Sequence, residues 1–246
     1  MKEMFHVEHI LDRWFRDRGL VADAMVREKL LAYAGMVHSE SRKFNLTGLK
    51  NHDEIVQTLV LGSIGPALYL DVPRGTRFVD IGSGAGVPGI PLGVFFPETA
   101  GVLVEANAKK AAFMSRAVTE LGIDNLRVVH GRVEELCRLS EYRESFNWGF
   151  SRAFGSVFEV IEMGLPLVAP GGYFFIYSRL APDGLDPAVP AHAERLGARF
   201  IERRPENPSG EGPGLLLHKM GLCDRKYPRK YPAIRRDAGK TVVSGE

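Results

Sequence analysis

The feature that most constrains this chain is the stretch VDIGSGAGVPGIPL, which spans residues 79–92. A short β-rich run, residues 77–81, leads into glycines at positions 82, 84, 86 and 89. Because glycine has no Cβ and readily adopts positive φ, a ligand can lie directly on the backbone N–H groups of such a loop. The pattern predicts a ligand-binding loop between a strand and a helix, with a tight turn for close helix–sheet packing as the alternative.

Short β-rich runs then alternate with helical segments, which predicts an α/β fold with a doubly wound parallel sheet. Strands are predicted at residues 77–81, 102–105, 126–130, 146–151 and 173–177, with a closing pair at 198–204 and 214–220. Helices are predicted between them at residues 88–96, 108–121, 133–139 and 157–168.

The chain divides into three predicted regions. Residues 1–65 show a helical period and form a predicted N-terminal extension, which Gly65-Pro66 is expected to interrupt. Residues 66–222 contain the alternating strands and helices. Residues 223–246 form a basic C-terminal tail.

Composition excludes several classes of protein. None of the apolar runs in the 246 residues approaches the roughly 20 residues needed to cross a bilayer. The N-terminus lacks a signal-peptide pattern, so we expect a cytoplasmic protein without a membrane partner. Cys137 and Cys223 are far apart and the histidines lack zinc-site spacing, so we expect no metal. No large exposed apolar element stands out, which favours a monomer.

The residues around the glycines distinguish two candidate ligands. Residues 84–89 satisfy G-x-G-x-x-G, a pattern shared with dinucleotide-binding enzymes. Asp80 argues against NAD, because its carboxylate would repel a pyrophosphate centred on the same loop. S-adenosylmethionine carries an amino group and a sulfonium but no phosphate. We therefore expect this cofactor on Gly82, Gly84 and Gly86, with Asp80 facing its positive end.

Two later positions extend the predicted cofactor site. Glu105 ends the second strand, where a carboxylate can accept hydrogen bonds from ribose hydroxyls. NAD-binding enzymes also bind ribose through an acid at this position. The alternative role for Glu105 is to cap the next helix. Val133 and Glu134 follow the third strand, where an adenine edge would lie, although an ordinary helix start explains them as well.

Together these motifs resemble one family. They are similar to motifs of the bacterial ribosomal RNA small subunit methyltransferase G family. The segments that carry the similarity are VDIGSGAGVPGIPL, the acid of VLVEAN, HGRVEEL, SRAF at 151–154, RKFNLTGL at 42–49 and the basic YPRK. This family is also called glucose-inhibited division protein B. The similarity covers about residues 25–235.

The resemblance implies a fold and an activity. The fold is a Rossmann-like, seven-stranded methyltransferase sheet, here residues 66–222. The activity is transfer of a methyl group from S-adenosylmethionine to N7 of a guanine in the decoding-region loop of 16S rRNA, on naked rRNA or on the 30S particle. Residues at the family's cofactor-contact positions are Gly82, Val87, Val133, Glu134 and Arg152. The chemical argument above adds Asp80, Gly84, Gly86 and Glu105.

Two segments depart from the family pattern. His38-Ser39-Glu40-Ser41 occupies the region where the family usually has a tryptophan–asparagine pair. TLVLGSIG, residues 58–65, lacks the histidine and aspartate of the corresponding family segment. These departures leave open a divergent methyltransferase for another substrate and a catalytically inactive ribosome-binding module.

Methylation of N7 needs positioning more than proton transfer, because this nitrogen has a free lone pair and no proton to lose. No general base is therefore nominated. Arg152, Asn45 and Lys43 are candidates for orienting the substrate, and a salt-bridged surface position is the alternative for Arg152. Asn45-Leu46-Thr47 also fits a turn with side-chain-to-backbone bonds. Phe154 stacks on the target base or belongs to the core.

The segment RKYPRKYPAIRR, residues 225–236, contains six basic residues and no acid. Its prolines are expected to keep it extended. The basic groups suit RNA phosphates, and Tyr227 and Tyr231 suit stacking on unpaired bases. A solvated tail is the alternative.

Overall fold

The computed structural model describes residues 2–21, 23–70, 72–180, 182–201 and 214–241. Its centre is a seven-stranded sheet with the order β3-β2-β1-β4-β5-β7-β6. The strands are β1 (Arg77–Ile81), β2 (Ala100–Glu105), β3 (Leu126–His130), β4 (Phe146–Arg152), β5 (Val168–Tyr177), β6 (Ala198–Phe200) and β7 (Gly214–Lys219). Strands β1 to β5 are parallel, whereas β7 is antiparallel to both β5 and β6. The predicted α/β sheet is confirmed, with an antiparallel strand near one edge.

Helices cover both faces of this sheet. They are α1 (Lys2–Asp17), α2 (Ala24–Ser41), α3 (His52–Glu54), α4 (Gly62–Tyr69), α5 (Gly89–Phe95), α6 (Ala108–Glu120), α7 (Val133–Leu136), α8 (Val157–Gly164), α9 (Ala188–Arg195) and α10 (Tyr231–Thr241). A π-helix, Ile55–Leu61, joins α3 to α4. Short 3-10 turns follow at Leu165–Leu167 and Pro182–Gly184. None of the helices within the described ranges combines the length and apolar character that crossing a bilayer requires.

Side chains along β1 alternate between the two faces of the sheet, and the buried apolar residues form one cluster on each face. Phe78 packs with the N-terminal helices, including Tyr33 of α2, while Val79 and Ile81 pack on the opposite face of the sheet. Burial on both faces explains why most residues of the central strands are apolar. The N-terminal helices thus share one core with the sheet.

The expected interruption at Gly65-Pro66 is wrong. Helix α4 continues through both residues to Tyr69, and both are buried. Pro66 lies only five residues into α4, so its missing N–H removes one helical hydrogen bond. Packing of this apolar segment against the sheet outweighs that loss.

The expectation of an extended C-terminal tail is also wrong. Residues 231–241 form helix α10, and Tyr227, Ile234 and Ala238 are buried in the second cluster. Ile234 and Ala238 lie four residues apart and present one apolar helix face to that cluster. The predicted strand at 198–204 ends at Phe200, and its positions 202–204 lie outside the described residues. The division into three regions at residues 65 and 222 remains a proposal.

Candidate functional site

The glycine loop joins β1 to α5 at the carboxyl ends of the strands, the usual ligand position in open α/β sheets. Gly82, Gly84 and Gly86 have φ values of +67°, +58° and +96°. A Cβ at Gly82 would lie 2.4 Å from the Phe154 ring, and a Cβ at Gly86 2.4 Å from Ile90. A Cβ at Gly84 would meet only the Gly82 carbonyl oxygen, at 3.9 Å. Close packing therefore requires two of these glycines, and Gly84 faces open space.

A cavity of about 540 Å³ adjoins this loop, which is within the range of small-molecule sites. The predicted residues that line it are Gly82, Gly84, Val87, Glu105, Val133, Glu134, Arg152 and Phe154. Four predicted residues do not line it, namely Lys43, Asn45, Asp80 and Gly86. The wall also includes residues that the sequence analysis did not select as cofactor contacts: Ser83, Lys110, Arg132, Ala153, Met163 and Tyr231.

Glu105 ties the glycine loop to the second strand. One carboxylate oxygen accepts the N–H of Gly84 at 2.9 Å, and the other accepts the N–H of Asn107 at 2.7 Å. The cap of α6 is Asn107, whose Oδ1 accepts the N–H groups of Lys109 and Lys110. Each carboxylate oxygen can accept a second hydrogen bond. Glu105 thus fits a role as acceptor for ribose hydroxyls.

Asp80 lies beneath the loop and is fully buried. Its Oδ2 accepts the N–H of Gly89 at 3.0 Å, while Oδ1 has no hydrogen-bond partner among the described residues. Burial raises the pKa of this carboxyl to about 7. The buried unpaired oxygen is compatible with a cationic group nearby, but the predicted contact with the cofactor's amino group stays a prediction.

Arg152 ends β4 and presents a half-buried guanidinium to the cavity. Its Nη1 lies 3.5 Å from the Ser63 hydroxyl, and its Cζ lies 5.5 Å from the Tyr177 ring centroid. Within the described ranges no carboxylate lies within ion-pair distance, so the salt-bridged alternative is wrong. Burial lowers the pKa of Arg152. The cavity therefore contains a cation available to a substrate.

The N-terminal helices support the site. The hydroxyl of Tyr33, on α2, donates to the carbonyl of Ala85 in the glycine loop at 2.9 Å. Leu46, Thr47 and Gly48 line the cavity, together with Leu59 of the π-helix. The N-terminal part of the chain therefore forms one wall of the cavity.

The predicted substrate-orienting residues Lys43 and Asn45 are exposed and lie outside the cavity wall. The ammonium of Lys43 pairs with Glu40 at 3.2 Å. The N–H of Leu49 donates to the Thr47 hydroxyl at 3.3 Å, which supports the turn interpretation of this segment. RNA contact by Lys43 and Asn45 remains a proposal.

Two residues of the predicted RNA-binding tail pack against the body of the protein. Arg229 bonds to both carboxylate oxygens of the fully buried Glu162, at 2.8 and 2.6 Å. Tyr227 is buried among apolar residues. The basic residues of this segment that remain exposed are Arg225, Lys226, Lys230, Arg235 and Arg236.

The fold and the cavity define a Rossmann-like methyltransferase. The NAD-binding sheet has the strand order 3-2-1-4-5-6, whereas here the antiparallel β7 lies between β5 and β6. The same fold occurs in the crystal structure of MtNAS in complex with MTA and tNA (TM-score 0.52, 16% identity, 79% of this chain and 71% of that one). A protein from Corynebacterium glutamicum is similar (TM-score 0.51, 15% identity, 85% and 95%).

Sequence comparison identifies the family. The family model for rRNA small subunit methyltransferase G matches residues 26–181. The proteins of that name from Desulfitobacterium hafniense and Chromohalobacter salexigens are 36% and 32% identical to this chain. The first match covers 82% of this chain and 85% of the relative, and the second covers 85% and 95%.

The chain belongs to the rRNA small subunit methyltransferase G family. It is an S-adenosylmethionine-dependent methyltransferase, so the alternative of a nicotinamide-dependent enzyme is wrong. Among the described residues no group of three or more histidine, cysteine or acidic side chains is arranged to hold a metal ion.

Proposed function

We propose that this enzyme transfers a methyl group to N7 of a guanine in the decoding-region loop of 16S rRNA. The observation that carries the proposal is the cavity on the glycine loop, which combines a ribose acceptor, Glu105, with an available cation, Arg152. The relatives' name specifies small-subunit rRNA as their substrate. The enzyme acts as a cytoplasmic monomer on naked rRNA or on the 30S particle.

Residues of the cavity have distinct roles in this proposal. The open backbone at Gly84 and the carboxylate of Glu105 hold the ribose side of S-adenosylmethionine, and Val133 and Glu134 flank its adenine. The bound cofactor supplies an electrophilic methyl group on a sulfonium. Leu59 and Met163 help exclude water from the reacting atoms.

The target guanine needs orientation and no general base. Arg152 suits this task, because its guanidinium can donate hydrogen bonds to the O6 acceptor edge of a guanine. Aligning two reactants in this way is worth up to roughly 7–11 kcal/mol of the barrier. Asp80, whose pKa is raised to about 7, is buried away from the cavity wall.

Incorporation of labelled methyl groups tests the proposal with two matched variants. Gly84→Asp places a carboxylate in the open space beside Glu105 and should abolish incorporation into 30S subunits and into 16S rRNA. Gly75→Asp is the control, because Gly75 also has positive φ, +73°, and a Cβ there meets nothing within 4 Å. It should retain activity.

The alternatives predict other results. Incorporation into another substrate but not into rRNA would identify a divergent methyltransferase. Binding of 30S subunits without any incorporation would identify an inactive ribosome-binding module. Either result would contradict the proposed function.

A further inference from the structure

The C-terminal helix contributes a side chain to the cofactor cavity. Tyr231, the first residue of α10, is half-buried and lines this cavity with Val133, Glu134 and Phe154. We propose that Tyr231 closes the adenine end of the S-adenosylmethionine site and that residues 223–241 hold it there. This inference rests on the proposed placement of adenine beside Val133 and Glu134.

The neighbours of Tyr231 place it at one end of the cavity. Glu134 opens α7, directly after β3, and Glu159 lies in the first turn of α8. Burial raises the pKa of the Tyr231 hydroxyl, and the carboxylates of Glu159 and Glu134 raise it further, so the phenol stays neutral at pH 7. A neutral aromatic ring suits contact with a purine face.

The other end of the cavity has different chemistry. Arg152 lies there beside Ser63 and the Tyr177 ring, on the side of the sheet that the N-terminal helices cover. Tyr231 packs with the opposite cluster, against α8. The adenine of the cofactor, rather than the target guanine beside Arg152, is therefore its expected partner.

Arg143 fixes the start of the C-terminal segment. Its Nη2 donates to the carbonyl of Cys223 at 2.8 Å, and its Nη1 donates to the carbonyl of Tyr227 at 2.9 Å. The neighbouring Glu144 accepts the N–H of Cys223 at 2.6 Å. These bonds link the segment to the loop before β4.

A partly buried ionic cluster fixes the residues just before Tyr231. Glu162 accepts the backbone N–H of Arg229 at 3.0 Å in addition to the two guanidinium bonds. It also bonds to His192 at 2.8 Å, and Arg229 bonds to Asp237 of α10 at 2.6 Å. Arg229, two residues before Tyr231, is thus a positioning residue for that ring.

Calorimetric binding of two probes tests the proposal directly. S-adenosylmethionine is the whole cofactor, and 5′-methylthioadenosine keeps its adenine and ribose but lacks the amino-acid end. Tyr231→Ala should weaken both by a similar factor, about tenfold, because a base–aromatic contact is lost. Tyr231→Phe keeps the ring and should stay within about twofold of the unmodified enzyme.

The matched control is Tyr173→Leu. Tyr173 is another half-buried tyrosine, but it stacks on Trp148 and does not line the cavity. This variant should lose stability without losing affinity for either probe. Arg229→Met should weaken the binding of S-adenosylmethionine and of 5′-methylthioadenosine. The two affinities should fall by factors similar to each other, as they do in Tyr231→Ala.

Hydrogen exchange of the unmodified enzyme gives a second measurement that does not depend on the folding of a variant. Added 5′-methylthioadenosine should slow exchange at residues 229–234. Unchanged exchange there, or unchanged probe affinity in Tyr231→Ala, would overturn the proposal. A higher KM for RNA with unchanged cofactor affinity would also overturn it, by assigning the ring to the target base. Loss of rRNA methylation alone would instead challenge the proposed function.

Discussion

At the scale of single residues, Arg152 lies beside segment 58–65, which departs from the family pattern. Gly62 stands next to this arginine, and a Cβ built on Gly62 would lie 3.5 and 3.6 Å from the two terminal guanidinium nitrogens. No described carboxylate pairs with Arg152. A residue that adds an acid at position 62 would therefore compete with the substrate for this cation.

Gly62→Asp tests that argument. The new carboxylate should pair with Arg152, raise the melting temperature, and slow methyl transfer by about tenfold to a hundredfold, since a charge-assisted hydrogen bond is worth about 1.5–3 kcal/mol. Gly62→Asn is the neutral control and should have a smaller effect. Steady-state methyl transfer and calorimetric melting measure the two effects. Unchanged activity in a more stable Gly62→Asp would show that Arg152 does not engage the substrate.

Asp80 gives a pH-dependent prediction at the same scale. Its pKa is about 7 in the folded state, against an ordinary value of 3.8, because the carboxyl is buried. The stability that Asp80 contributes is fully present below pH 3.8 and is lost as the pH rises through 7. Asp80→Asn should therefore become more stable relative to the unmodified enzyme across this range, by on the order of 4 kcal/mol at most.

Urea unfolding of both proteins without cofactor, at several pH values between 5 and 8, measures this difference. A constant difference across the range would mean that the Asp80 carboxyl is already ionised in the folded protein at pH 5.

At the scale of secondary-structure elements, the Arg229–Glu162 pair determines where α10 lies. Arg229→Met would leave the fully buried Glu162 without its cationic partner and should cost about 3–5 kcal/mol of unfolding free energy at neutral pH. Arg229 holds the pKa of Glu162 at about 2, so the pair's contribution is present above the ordinary value of 4.5 and is lost as pH falls toward 2. The difference between the two proteins should shrink below pH 5.

Adding Glu162→Gln to Arg229→Met removes the unpaired charge and should restore most of the lost stability. Denaturant unfolding of the single and double variants checks this. An equally unstable double variant would mean that packing, and not the ion pair, holds α10.

Elements with a regular apolar period could be predicted from the sequence, and elements that depend on distant contacts could not. Strands β1 and β3 and helix α6 follow local patterns and lie close to their predicted bounds. The sequence does not predict helix α10, because prolines at 228 and 232 favour an extended chain. The segment before α10 is held by Glu162, 67 residues before Arg229, and no local pattern reveals that contact.

At the scale of the whole molecule, some parts of the site follow from nearby sequence and others depend on contacts between distant residues. The glycine loop and Glu105 lie within one β-α-β unit, so their meeting follows from topology. The hydrogen bond from Tyr33 to Ala85 spans 52 residues, and Tyr231 reaches the cavity from the far end of the chain. The Asp80 carboxylate lies under the loop, where its Oδ2 accepts the N–H of Gly89 at the start of α5.

The charge on the outside of the molecule gives a prediction for RNA binding. Arg225, Arg235 and Arg236 are exposed, and replacing all three with alanine should lower the slope of log K against log salt concentration by about three. Arg74→Ala is the control, because this exposed arginine precedes β1, outside the C-terminal segment and away from the cofactor cavity. Binding of 16S rRNA fragments over a salt titration measures both slopes. An unchanged slope in the triple variant would remove the C-terminal segment from the RNA interface.

Oligonucleotide mass spectrometry of 16S rRNA tests the central claim most directly. Purified enzyme and S-adenosylmethionine are incubated with 30S subunits from cells lacking the endogenous methyltransferase, and the rRNA is then digested. The account predicts one new 7-methylguanosine, in an oligonucleotide from the decoding-region loop, which is absent with Gly84→Asp. A methyl group on another atom or another RNA segment, or none despite calorimetric binding of S-adenosylmethionine, would contradict it.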